Sequence, residues 1–239
     1  MKIRLTGAIV LWVIISSSRA QELTGYVQPM SGTAASTTPA ALKHGEGTEL
    51  NANTIPAVGT PFAMTQWTPQ TRATENKCVP PYLYQDSLFS GIRASHWLSG
   101  SCTQDYGSMT IMPFMGKLKS RFADYQLLLD HRAEKSSPYE YSIAFKKAYM
   151  SISVTATPRS GMIKITANKA DSLFVLVTPN SDFGKGYVHV DPKKNEISGY
   201  NPAHWIYQGW GEETGFKGHF VIRFQKKMIK SGTFKGGEV

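Results

Sequence analysis

Wherever the chain shows a period, apolar and polar residues mostly alternate one by one. Ile152, Val154 and Ala156 are separated by Ser153 and Thr155, and Ile163 and Ile165 flank Lys164. Val188 and Val190 flank His189, while Phe220, Ile222 and Phe224 alternate with Val221, Arg223 and Gln225. A period of two sends one set of side chains inward and the other to solvent, which predicts half-buried strands. Residues 109–112 add a short β-favouring run and residues 173–177 a continuous apolar one. Turn formers punctuate these runs: Pro158-Arg159-Ser160-Gly161, Asn180-Ser181-Asp182, Asp191-Pro192 and Asn195. Helical periodicity is weak and no long repeat is visible. The pattern predicts an all-β fold, an antiparallel β-sandwich with little helix, built as one domain over residues 21–239. Tyr26-Val27 is expected to start a first strand, residues 29–47 to form an extended loop, and Tyr82-Leu83-Tyr84 to be strand-like before a turn at Asp86.

The first 20 residues are a separate object. Lys2 and Arg4 precede an apolar run over residues 7–15, and Ser18-Arg19-Ala20 is a small-x-small cleavage signal. This is the pattern of a secretory signal peptide, expected to send the chain to a periplasmic or extracellular space. The run is too short to span a bilayer, which needs roughly 20 residues, and no later run is longer and as apolar. No membrane partner is therefore expected. Loss of Lys2, Arg4 and Arg19 lowers the formal net charge from +9 to +6. The remaining lysines are scattered as the pairs 146–147, 193–194 and 226–227, the arrangement of solvated edges rather than a nucleic-acid footprint. Cys78 and Cys102 are the two cysteines. After export they either form a disulfide, which would stabilise by roughly 3–4 kcal/mol, or remain two buried thiols.

Candidate chemistry concentrates in residues 59–113, where rings, imidazole, amides and hydroxyls alternate with Gly and Pro. Sugars present C–H faces to rings and hydroxyls to polar groups, so this mixture suits a sugar-binding surface. His96-Trp97, in the Gly- and Ser-rich S-H-W-L-S-G-S, is the sharpest pair: the indole offers a platform and the imidazole a donor. Phe62 and Trp67 pose the same choice, with core packing favoured. Asp86 and Asp105 are the aspartates of the stretch, and glycosidic hydrolysis needs two carboxylates. Neither sits in an acid or base pattern; each is expected to fix a turn or loop by hydrogen bonds. Ser99-Gly100-Ser101 lacks the G-x-S-x-G elbow of a nucleophilic serine. A second aromatic cluster, Tyr200 with Trp205, Tyr207 and Trp210, suits either a groove or a partner domain.

Taken together, these motifs resemble the N-terminal domain of glycoside hydrolase family 92. The resemblance runs through Val27-Gln28-Pro29, Asn53-Thr54-Ile55-Pro56-Ala57, Pro61-Phe62-Ala63-Met64, Trp67-Thr68-Pro69 and Tyr82-x-Tyr84-x-Asp86. It continues with Ser95-His96-Trp97-Leu98-Ser99-Gly100, Asp105-Tyr106-Gly107, Met112-Pro113, His131-x-x-Glu134, Thr155-Ala156-Thr157-x-Arg159-x-Gly161 and the cluster over residues 199–211. The family is one of calcium-dependent, inverting exo-α-mannosidases acting on mannose-containing glycans. The resemblance implies a supersandwich-like N-terminal domain whose loops join the substrate pocket, with Phe62, Ala63, His96 and Trp97 as substrate-binding residues. It implies also a C-terminal (α/α)6 domain carrying the general acid, the general base and the calcium ligands. The family usually has Gly where Ala63 stands, and no positions here match the acid, base or metal ligands. No catalytic or metal residue is therefore assigned to this chain, and it is expected to be inactive alone. Three readings follow: the pocket-contributing part of a truncated or split α-mannosidase in N-glycan breakdown, a stand-alone carbohydrate-binding module, or a structural remnant.

Overall fold

A computed structural model of the protein describes residues 23–44, 50, 52–72, 79–99, 105, 107–180, 184–202, 205–207 and 210–235. The expected signal peptide, Cys78 and Cys102 lie outside these residues. Two four-stranded antiparallel sheets share one core. The first has the order β1 (Gln66–Gln70), β3 (Gly91–Ser95), β4 (Met109–Met115), β10 (Leu173–Pro179). The second has the order β6 (Glu134–Ser136), β7 (Tyr141–Phe145), β8 (Met150–Ala156), β9 (Gly161–Ala167). A third sheet joins β11 (Tyr187–Asp191), β12 (Glu196–Pro202) and β15 (Lys217–Arg223). Two-stranded pairs complete the set: β2 (Leu88–Phe89) with β5 (Leu127–Leu128), and the hairpin of β13 (Trp205–Tyr207) with β14 (Trp210–Glu213). The fold is all-β and sandwich-like, as the alternation predicts. Among the described residues no helix is long and apolar enough to cross a membrane.

The second sheet follows its sequence pattern. Ile152 and Val154 of β8 point into the core beside Ile143 of β7, and Thr155 and Lys164 point out. Each such apolar side chain contributes about 1.5–3 kcal/mol on burial. The first sheet behaves differently, because both of its faces are covered. One face carries Trp67, Ala94 and Met109 in one row and Pro69, Ile92 and Ile111 in the next. The other carries Thr68, Arg93 and Thr110, all buried. Pro69 is tolerated because β1 is an edge strand, where a missing N–H breaks no ladder. The sheets meet where the Trp67 ring lies on the backbone of β9. A Cβ added to Gly161 would fall 2.3 Å from the Trp67 Cε2, so only glycine admits this contact.

Three local expectations are corrected. Tyr26 ends a 3-10 turn (Leu23–Tyr26) instead of starting a strand. Within the predicted loop, Pro39–His44 forms a short α-helix, α1, whose start is marked by Thr38 accepting from the Ala41 amide. Tyr82-Leu83-Tyr84 is not a strand, and its end turns back through the Asp86 N–H to the Leu83 carbonyl. The three lysine pairs are all exposed.

Candidate functional site

The start of β1 and the end of β3 lie together, with Gln66 opposite Ser95. The chain before β1 forms the turn that carries Phe62 and Ala63; the chain after β3 carries His96 and Trp97. The turn closes through the Ala63 N–H on the Thr60 carbonyl at 3.1 Å. Phe62 sits at its apex with φ +59°, in the left-handed region that side chains with a Cβ avoid. Its ring is fully exposed, at 104% of the reference accessibility. Core packing was the favoured expectation for Phe62, and the structure reverses it; Trp67, given the same expectation, is buried. Ala63 is half-buried and not left-handed, so the unusual φ of this turn falls on Phe62 instead of its neighbour. Met64 and Leu98 are also exposed, which gives this end of the sheet an apolar rim.

His96 and Trp97 are held differently. The His96 ring is half-buried, and its Nε2 lies 3.3 Å from Thr65 Oγ1, which joins the two loops. Its backbone N–H donates to Asp105 Oδ1 at 2.7 Å. The Trp97 side chain is only 5% exposed, and its indole N–H donates to the Asn53 carbonyl at 2.7 Å. Asn53 is itself buried and left-handed, a conformation Asn tolerates well. Thr65 therefore ties the turn that carries Phe62 and Ala63 to the His96 loop, while the indole of Trp97 is buried.

Both aspartates of the stretch are engaged inside the domain. Asp86 accepts from Thr71 Oγ1 at 2.6 Å and pairs with Arg72 at 3.1 Å. Asp105 is 1% exposed and accepts from Arg93 Nε at 2.9 Å and Ser95 Oγ at 2.8 Å. Arg93 also donates to Ser108 Oγ at 2.8 Å. The network spreads across the covered polar face: Asn180 Nδ2 reaches Ser108 Oγ at 3.3 Å, Thr110 bonds Gln70, and Asn201 Nδ2 donates to the Ser108 carbonyl at 3.0 Å. Arg93, Gln70, Asn180 and Asn201 are absent from the sequence-derived candidates. The one available signal is an arginine inside the otherwise small and apolar G-I-R-A-S.

The His131-x-x-Glu134 motif forms a second buried cluster. Glu134 accepts from Tyr141 OH at 2.6 Å and from Tyr82 OH at 3.1 Å, and His131 Nδ1 lies 2.5 Å from it. Tyr84 stacks on the His131 ring with centroids 4.0 Å apart. Burial, reinforced by the Glu134 charge, holds the Tyr82 and Tyr141 phenols well above the ordinary phenol range, so both remain neutral donors. Among the described residues no three His, Cys, Asp or Glu side chains are placed to hold a metal ion. No residue here is assigned to calcium.

Residues 26–239 match the model of the glycosyl hydrolase family 92 N-terminal domain, and the chain belongs to that family. Solved structures agree. The family GH92 inverting mannosidase BT2199 from Bacteroides thetaiotaomicron superposes with a TM-score of 0.74 at 28% identity, covering 92% of this chain and 27% of that one. The GH92 α-mannosidase BT3965 from the same organism, solved with mannoimidazole, gives 0.65 at 21% identity over 91% of this chain and 29% of that one. The GH92 family glycosyl hydrolase ccman5 gives 0.53 at 17% identity over 75% and 24%. The chain thus spans less than a third of the length of these solved relatives. No curated protein matches it.

Proposed function

We propose that this domain forms one wall of the substrate pocket of an exported α-mannosidase acting on mannose-containing glycans. The observation that carries the reading is Phe62. A full aromatic ring stands in solvent on a left-handed backbone, at a cost of about 1–2 kcal/mol that packing within this domain does not repay. Strain of this kind collects at ligand-contacting positions. The ring offers a face to the C–H side of a hexose, and the His96 imidazole, joined to the same turn through Thr65, offers a hydrogen bond to its hydroxyls. Family membership and the two mannosidases among the solved relatives support mannose as that hexose. The general acid, general base and calcium ligands belong in this reading to the (α/α)6 domain, because Asp86 and Asp105 are already committed to internal partners. Calcium would help hold mannose in a distorted shape there. The chain by itself then leaves mannobiose uncut with or without calcium.

The test joins this chain to a family 92 catalytic domain and compares Phe62 with Phe62→Gly. Glycine takes the left-handed region freely, so the variant is expected to gain about 1 kcal/mol in chemical denaturation. Loss of the ring is expected to lower kcat/KM on mannobiose roughly tenfold, or about 1.4 kcal/mol. A variant that gains stability and keeps its kcat/KM would place Phe62 outside the pocket.

A further inference from the structure

We infer that Asp105 is the positioning residue of the His96 loop, acting through Ser95 and the His96 amide, and that Trp97 anchors this loop instead of serving as a sugar platform. The inference rests on the reading of His96 as a glycan contact. Three consecutive residues are held by named atoms. Ser95 Oγ donates to Asp105 Oδ2 at 2.8 Å and accepts the Trp97 N–H at 3.1 Å, which fixes the direction of the hydroxyl. The His96 N–H donates to Asp105 Oδ1 at 2.7 Å, so one carboxylate grips both ends of a two-residue step. The Trp97 indole N–H is held by the Asn53 carbonyl at 2.7 Å. A ring that is 5% exposed, with its one polar group engaged below the surface, has no face to offer a sugar.

The carboxylate is itself referenced to the sheet. Arg93 binds Asp105 Oδ2 at 2.9 Å and Ser108 Oγ at 2.8 Å, and Ser108 is tied to Asn180 and to Asn201 from β12. Strand β15 approaches the same segment closely: a Cβ on Gly218 would fall 2.5 Å from the Gly107 Cα. The His96 backbone is thereby located against three strands, while its ring is steadied from the Phe62 side by Thr65. Charge-assisted hydrogen bonds to a buried carboxylate are short and directional, which suits a positioning task.

The test uses Ser95→Ala in this chain, because it removes two of these links and leaves the Arg93–Asp105 pair intact. Amide hydrogen exchange at His96 and Trp97 is expected to accelerate at least tenfold, the His96 imidazole NMR signals to shift, and the cooperative melt to persist. Ser95→Thr, which keeps a hydroxyl, is expected to restore both signals. Methyl α-mannoside, titrated against the same proteins, is expected to bind at least threefold more weakly to Ser95→Ala. Unchanged exchange at His96 and Trp97, or no rescue by threonine, overturns the inference. Should Ser95→Ala fail to fold, Ser95→Cys is measured instead with the same criteria. His96→Ala separates the two ideas: if methyl α-mannoside affinity is the same with and without the imidazole, the glycan reading falls, while the exchange data still decide the role of Asp105.

Discussion

Asp105 and Glu134 are both buried carboxylates, yet they are neutralised in different ways. Asp105 is paired with a guanidinium, a serine hydroxyl and a backbone amide. Glu134 is held by two phenols and an imidazole. A guanidinium keeps its charge at every attainable pH, whereas phenols donate only while protonated. The first arrangement holds a loop next to the candidate pocket. The second ties Tyr82 to β6 and β7 within the body of the sandwich. The pocket-side carboxylate has the pH-independent partner, and the structural one has partners that titrate.

The largest test of this contrast is Arg93→Met. It leaves Asp105 without its cation inside the fold, and is expected to cost about 3–5 kcal/mol in chemical denaturation. A cost below about 1 kcal/mol would mean that the hydroxyl and amides alone satisfy Asp105. Next comes Tyr141→Phe, which removes the 2.6 Å donor from Glu134 and is expected to cost about 1–3 kcal/mol at neutral pH. The smallest effect is in the alkaline limb. The Tyr82 and Tyr141 phenols have folded pKa values above the unfolded value near 10. The folded state therefore holds these protons more tightly. Their contribution is complete below about pH 10 and is lost as pH rises from there toward the folded values. Thermal melts from pH 8 to 11.5 are expected to show a falling Tm above pH 10, a shallower fall in Tyr141→Phe, and the wild-type fall in Arg93→Met. Equal slopes in all three proteins would remove the distinction.

The same contrast explains what could be read from the chain. Strands β8 and β9 of the second sheet, with β10, β11 and β15, were legible, because one face is wet and alternation marks it, or because the run is continuously apolar. Strands β1 and β3 were not. Q-W-T-P-Q and G-I-R-A-S place polar residues inward on a covered face, and periodicity cannot tell an inward polar residue from an outward one. Asp105 was legible as a loop-fixing carboxylate, since an acid among Gly, Ser and aromatic residues suits hydrogen bonding. Its partner Arg93 was not, because nothing in the eleven intervening residues announces the pairing. Residue type alone favours core for Phe62, while the resemblance makes it a substrate-binding residue; its left-handed backbone and exposure are not legible in the sequence. The burial of Trp97 is not legible either, because its indole N–H is held by Asn53, a residue 44 positions away.

The Phe62 turn rests on the turns of the opposite sheet. The Gly59 N–H donates to the Pro138 carbonyl, in the turn joining β6 and β7, at 3.1 Å. The Met64 N–H donates to the Pro158 carbonyl, in the turn joining β8 and β9, at 2.9 Å. Surface hairpin tips are ordinarily where a lineage can lengthen, shorten or rewrite its sequence without penalty. Here two such tips serve as footings. A residue inserted at either one would carry the Phe62 ring with it, so these outwardly unremarkable corners inherit the constraints of a site to which they contribute no side chain.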